Sequence, residues 1–174
     1  MKVRGFEKVS FEQYCKDVGG DVDLRQEYND IKLPQRATKY SAGYDFFSPI
    51  SFTLEPGEEI KIPTGIKAYM QEGEVLQMHV RSSLGFKYNI RLKNCTGIID
   101  QDYHNNPTNE GHIWIALVNE GNQKVEIKKG EAIAQGIFMN YLVADNGNTE
   151  NERRGGIGST NSQSVNYQQL RWDV

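Results

Sequence analysis

Hydrophobic positions along this chain follow two rhythms. Phe11, Tyr14, Cys15 and Val18 recur at the i, i+3, i+4, i+7 spacing that lays an apolar stripe along one face of a short helix. Ser10 and Gln13 form a capping box in front of that stripe, and Gly19-Gly20 end it. A short strand over residues 3–9 precedes it. From about Ile31 onward the apolar runs shorten and are broken by Pro, Gly and Asn roughly every ten residues, the grammar of a sandwich or barrel. The predicted strands are Tyr44–Ser48, Glu59–Ile62, Gly65–Met70, Glu74–Val80, Tyr88–Leu92, Gly97–Ile99, His112–Val118, Lys124–Ile127 and Ala132–Leu142. Alternation is clearest in two of them. Leu76, Met78 and Val80 oppose Gln77, His79 and Arg81, and Ile113, Ile115 and Leu117 oppose His112, Trp114 and Ala116. No βαβ unit fits, which excludes parallel α/β folds. The reading is therefore an all-β domain over 1–145, with one notable helix near 11–18.

Past Asp145 the pattern stops. Asn, Gly, Glu, Arg, Ser, Thr and Gln dominate, and such a segment buries too little apolar surface to order on its own. Residues 146–174 are predicted to be a flexible, Gly-rich arm, or a segment that orders on something else.

Composition changes this picture little. The 174 residues suit one domain with a real core. A formal net charge of -3 supplies no global field for nucleic acid or a membrane surface, so basic residues matter locally or not at all. The longest apolar run, Ile113–Val118, is far short of a bilayer span. The charged opening MKVRGFEKVSF lacks the apolar core of a signal peptide. Cys15 and Cys95 read as reduced thiols of a cytoplasmic protein, and the three histidines lack zinc-site spacing.

Local chemistry concentrates in five stretches. Arg81-Ser82-Ser83, followed by Gly85, sets a fixed cation and two hydroxyls at a strand end, donors that suit phosphate oxygens; a polar turn is the equal alternative. Asp100 and Asp102 flank Gln101, and on an extended strand they would face one side. They could supply a general base, hold magnesium, or form a solvated tip. Tyr103 follows, as a platform for a sugar or as a core ring. Asp45 lies between Tyr44 and Phe46, where a charge needs a partner: an arginine, or a metal-bound ligand. Gln135 sits in the apolar run GEAIAQGIF. Arg153-Arg154-Gly155-Gly156-Ile157-Gly158-Ser159-Thr160 could fold into an anion-binding nest of N–H groups, though no Gly-Lys-Ser/Thr closes it as a Walker loop. Taken alone, this stretch reads more readily as a plain flexible linker.

These stretches, in order, resemble the five motifs of the homotrimeric dUTPase family, of bacterial and phage type. As they stand here they are ATKYSAGYDFFS, VRSSLGFK, GIIDQDY, KKGEAIAQGIF and RRGGIGST, spread over roughly residues 33–160. The resemblance implies a distorted jelly-roll β-barrel that hydrolyses dUTP to dUMP and pyrophosphate with magnesium, limiting uracil in DNA and supplying dUMP. It implies Asp100 as the base that activates water for attack on the α-phosphate. Tyr103 would pack against deoxyribose. Asn94 and the hairpin through Gly97, Ile98 and Ile99 would read uracil. Arg81, Ser82, Ser83 and Gln135 would hold the phosphates, and Asp45 would lie near magnesium, through water. The motif from Arg153 to Thr160 would reach from a neighbouring subunit and close over the nucleotide.

Three departures stand out. Ile157 occupies the place of a Phe that stacks on uracil in the family, leaving Trp114, Tyr167 or Trp172 to replace it. The arginines are compressed, so either Arg153 or Arg154 could meet the γ-phosphate. HNNPTNE, 104–110, is inserted after Tyr103, where it would border the site or a trimer surface. Two rival readings remain at this stage. A dCTP deaminase would need a glutamate poised over the base, and nothing beside the hairpin supplies one. A nucleotide-binding regulator would grip a protein partner through the insert and the arm.

Overall fold

A computed structural model describes residues 2–19, 23–147, 153, 155 and 156. In chain order it contains β1 (Gly5–Lys8), α1 (Phe11–Val18), α2 (Arg25–Asp30), β2 (Gln35–Arg36), β3 (Tyr44–Phe47), β4 (Phe52–Leu54), β5 (Glu59–Pro63), β6 (Ile66–Tyr69) and β7 (Glu74–Val80). Then follow α3 (Ser82–Tyr88), β8 (Ile90–Leu92), β9 (Gly97–Asp100), a 3₁₀ turn over Gln101–Tyr103, β10 (Trp114–Asn119), β11 (Val125–Ile127) and β12 (Ala132–Asn140). The alternating apolar positions do what their period demands. Leu76, Met78, Ile115 and Leu117 are buried with Phe46, Leu54, Ile62 and Ile133 in one core.

The principal sheet has the strand order β2-β3-β12-β7-β9, and a second has β5-β10-β8, all pairs antiparallel. Two-stranded ladders β1-β6 and β11-β4 flank them. This is a jelly-roll type of architecture, but among the described residues no continuous ladder closes it into the barrel expected. The hairpin expected around Asn94 is also different in kind. β8 pairs with β10 and β9 pairs with β7, so the turn 93–96 carries the chain from one sheet to the other.

Helix content exceeds the single helix predicted. α3 occupies the stretch read as a turn, because Leu84 and Gly85 N–H groups close onto Arg81 O and Asn89 ends the helix in the left-handed region at φ 54°. α2 and the short strands β2 and β4 carry too few periodic positions to announce themselves. His112, expected on the outward face with Trp114 and Ala116, is fully buried instead. It lies before β10, its Nε2 accepts from Gly65 N–H at 2.7 Å, and its Nδ1 therefore carries the proton facing Asp17 at 2.5 Å.

The N-terminal cap is half as predicted. The Ser10 hydroxyl accepts from Gln13 N–H at 3.1 Å, but the Gln13 amide turns to Asp17 at 2.8 Å. Its place is taken from across the chain: Glu110 accepts from Ser10 N–H at 2.9 Å and from the Ser10 hydroxyl at 2.5 Å. Partial burial pushes the Glu110 carboxyl up, yet the hydrogen bonds from Ser10 and the charge of Lys67 outweigh it and hold the group below the ordinary glutamate value of 4.5. A depressed folded value contributes stability above 4.5 that disappears as pH falls through it. Glu110→Gln should therefore be less stable than the parent chain at neutral pH, and the gap should close in acid. Urea unfolding across that pH range measures it, and a constant gap would contradict the assignment.

Candidate active site

One part of the site is built across three adjacent strands. The register sets Gln135 of β12 opposite Asp45 of β3 on one side and His79 of β7 on the other. Arg81 leaves the end of β7, and its Nε meets Asp45 Oδ1 at 3.2 Å. Of the two partners open to Asp45, the arginine is the one observed. A Cβ at Gly43 would overlap the Gln135 side chain, so that glycine makes room for the glutamine, whose Nε2 donates to Val80 O at 3.4 Å. Ser82 and Ser83 follow Arg81 in the first turn of α3 and are exposed. This corner thus gathers a guanidinium, two hydroxyls and a carboxamide, with one carboxylate to orient the cation. It can hold a multiply charged oxyanion.

The other part is a pocket of about 180 Å³ where β9 meets the second sheet. Asn94, Gly97, Ile98, Ile99, Asp100 and Tyr103 line one side, and Leu92 with Ile113, Trp114, Ile115 and Ala116 the other. Met78, Arg153 and Gly156 complete the lining. The pairing of Asp100 and Asp102 arises differently from the strand geometry expected. Asp100 ends β9, Asp102 belongs to the 3₁₀ turn, and the side chains converge because Arg153 bonds both, Nη2 to Asp100 at 2.5 Å and Nε to Asp102 at 2.7 Å. Both carboxylates stay about half exposed, 48% and 52%. The same guanidinium lies 5.8 Å from the centre of the Tyr103 ring. Tyr103 is buried, its hydroxyl donating to His112 O at 2.9 Å and accepting from Asn109 Nδ2 at 2.9 Å.

Not every predicted residue is in these two places. Arg153 bonds the carboxylates of Asp100 and Asp102 in its own chain, Gly156 lies against Tyr103 and Asn109, and Gly155 is buried. Arg154, Ile157, Gly158, Ser159 and Thr160, like Tyr167 and Trp172, fall outside the described residues. Trp114 does line the pocket. Asn106 and Asn109, which brace Tyr103, were legible only as a polar loop, since their spacing carries no signal of a tyrosine partner.

The two parts are separated within one chain. Asp100 pairs with Val75 at the start of β7, whereas Arg81 follows its last residue, so roughly 20 Å of extended strand lies between them. Among the described residues no three His, Cys, Asp or Glu side chains gather to hold a metal ion. No helix among them is long and apolar enough to cross a membrane.

A family model described as dUTPase matches residues 29–163. The chain is 46% identical over 162 residues to the deoxyuridine 5'-triphosphate nucleotidohydrolase of Lactococcus lactis, an alignment covering 92% of this chain and 99% of that protein. The crystal structure of dUTPase from Streptococcus mutans is similar with a TM-score of 0.63 at 39% identity, over 81% of this chain and 98% of that one. A Staphylococcus bacteriophage 80alpha dUTPase, solved with dUPNHPP, shares the fold at a TM-score of 0.61 and 24% identity, over 95% and 100% of the two chains.

Proposed function

This chain belongs to the dUTPase family and hydrolyses dUTP, and from that premise we propose how its residues divide the reaction. Asp100 is the general base. It takes a proton from a water that attacks the α-phosphorus in line, so that pyrophosphate leaves and dUMP remains. The observation that carries this reading is that a half-exposed Asp100 carboxylate lines the same pocket as Tyr103 and Asn94.

Within that pocket the backbone of Gly97, Ile98 and Ile99, with Asn94, reads the uracil edge. Polar groups matched to uracil are left unpaired by cytosine, which is a strong penalty. Trp114 takes the place of the stacking ring that Ile157 lacks. Tyr103 packs beneath deoxyribose and leaves no room for a 2′-hydroxyl. Arg81, Ser82, Ser83 and Gln135 hold the phosphate chain. Arg153 or Arg154, with Gly155, Gly156, Ile157, Gly158, Ser159 and Thr160, closes over the nucleotide, and Arg153 exchanges its carboxylates for phosphate as it does so.

The family's divalent cation is, on this reading, magnesium. The donor set fits a metal carried by the substrate: Asp45 already pairs with Arg81 and can reach the ion only as one partner, through water, while triphosphate oxygens provide the rest. When bound, the ion neutralises charge on the phosphates.

The active unit is a homotrimer with sites between subunits. The roughly 20 Å of β7 that separates Asp100 from Arg81 is longer than a triphosphate, which supports a site drawing its base and its phosphate grip from different chains. Large apolar side chains left exposed, Phe86 at 92% and Leu142 at 98%, supply surface for other copies to cover. The two free cysteines, Cys15 and Cys95, suit a reducing cytoplasm.

Turnover in heavy-oxygen water tests the point of attack. The label is expected in dUMP. Label in pyrophosphate would put the attack on the β-phosphorus and remove Asp100 from the role given to it.

A further inference from the structure

The inserted loop 104–110 does more than decorate the surface. Its inner end reaches Tyr103. Asn109 Oδ1 accepts from Asn106 Nδ2 at 2.7 Å and from Gly111 N–H at 3.1 Å, which fills the oxygen and fixes which end of the amide faces away. Nδ2 is thereby turned onto the Tyr103 hydroxyl at 2.9 Å. That hydroxyl gives its proton to His112 O and accepts from Asn109, so Asn109 meets it as a donor. The brace is itself braced. Asn106, almost fully buried, donates to Tyr103 O at 2.9 Å and accepts from Thr108 and Asn109 N–H groups at 3.1 and 3.3 Å.

The same two groups form the floor under the arm. A Cβ built on Gly156 would lie 3.0 Å from Asn109 Nδ2 and 3.1 Å from the Tyr103 hydroxyl. A side chain there would press on the pair and require it to give by a few tenths of an ångström.

We infer that Asn109 is a positioning residue for dUTP hydrolysis, holding the Tyr103 ring at the height and tilt at which it receives deoxyribose and offering Gly156 its resting place. The inference depends on the reading of Tyr103 as the sugar platform. Asn109 is not among the residues that line the pocket; it acts through the phenol.

The test is a double-mutant cycle on the full chain. Asn109→Asp keeps both acceptor contacts, so the loop retains its frame, but puts an acceptor where Tyr103 needs a donor. Leaving one buried hydroxyl mismatched is expected to raise KM for dUTP about tenfold, with kcat altered less, and to lower the preference for dUTP over UTP by a similar factor. In a Tyr103→Phe background, where there is no hydroxyl to hold, Asn109→Asp should change KM less than twofold. An equal loss in both backgrounds, or unchanged KM and preference in the single variant, overturns the inference. Tyr103→Ala separates this from the reading beneath it: if that variant keeps the dUTP preference, the sugar platform itself is wrong. If it loses the preference while Asn109→Asp does not, only the positioning role fails. Thermal unfolding checks the fold, and Asn109→Ser carries the same cycle should the aspartate variant not fold.

Discussion

Asp100→Asn should cut kcat for pyrophosphate release from dUTP by roughly a hundred- to ten-thousand-fold, the range that a positioned general base supplies. The substitution is nearly isosteric. Asparagine can still accept from Arg153 and still lines the pocket, so nucleotide affinity should hold while the proton has nowhere to go. Calorimetric binding of a non-hydrolysable dUTP analogue, run beside the kinetics, separates the two effects. Asp102 is the natural control. It shares Arg153 with Asp100 yet does not line the pocket, and its amide variant should lose far less. Activity of Asp100→Asn within twofold of the parent chain would end the assignment.

The second large effect is a recovery. Asp100→Asn and Arg81→Gln should each be nearly inactive alone, since one lacks the base and the other the fixed cation. Glutamine is chosen because it can still donate to Asp45 and spare the sheet an unpaired carboxylate. If each site draws its base and its phosphate grip from different subunits, unfolding and refolding the two variants together creates sites in which both contributions are intact. Random pairing at equal amounts restores about a quarter of the sites. A mixture no more active than its components would mean that both groups act from one chain, against the separation along β7.

Much of this was legible in the sequence because period and chemistry spoke independently. The alternation in Glu74–Val80 placed Leu76 and Met78 inward without reference to anything else. The five motifs named their residues before any geometry existed. What stayed hidden were relations between distant parts. Asp45 with Arg81, Asn109 with Tyr103 and Glu110 with Ser10 are single polar pairs, and no local period encodes them. α3 was missed for a different reason. Ser, Ser and Gly weigh against a helix locally, and the turn exists because Arg81 O collects Leu84 and Gly85 N–H groups at the end of a fixed strand. The hairpin misreading was topological: a turn between two short strands looks the same in sequence whether those strands pair with each other or with β10 and β7.

The cap on α1 bears on the order in which the molecule assembles. Ser10 and Glu110 are 100 residues apart, and His112 and Asp17 are 95 apart, so the helix finishes its N-terminus only after a very long loop has closed. Closing such a loop costs chain entropy before any contact repays it. The cap on the first helix therefore depends on contacts that are among the most distant in the chain. Of the residues that secure it, Glu110 follows Asn109, which donates to the Tyr103 hydroxyl, and His112 accepts from that hydroxyl through its carbonyl. The same few residues thus tie the N-terminal helix to the loop that braces Tyr103, so loosening the start of the chain should also loosen the sugar platform.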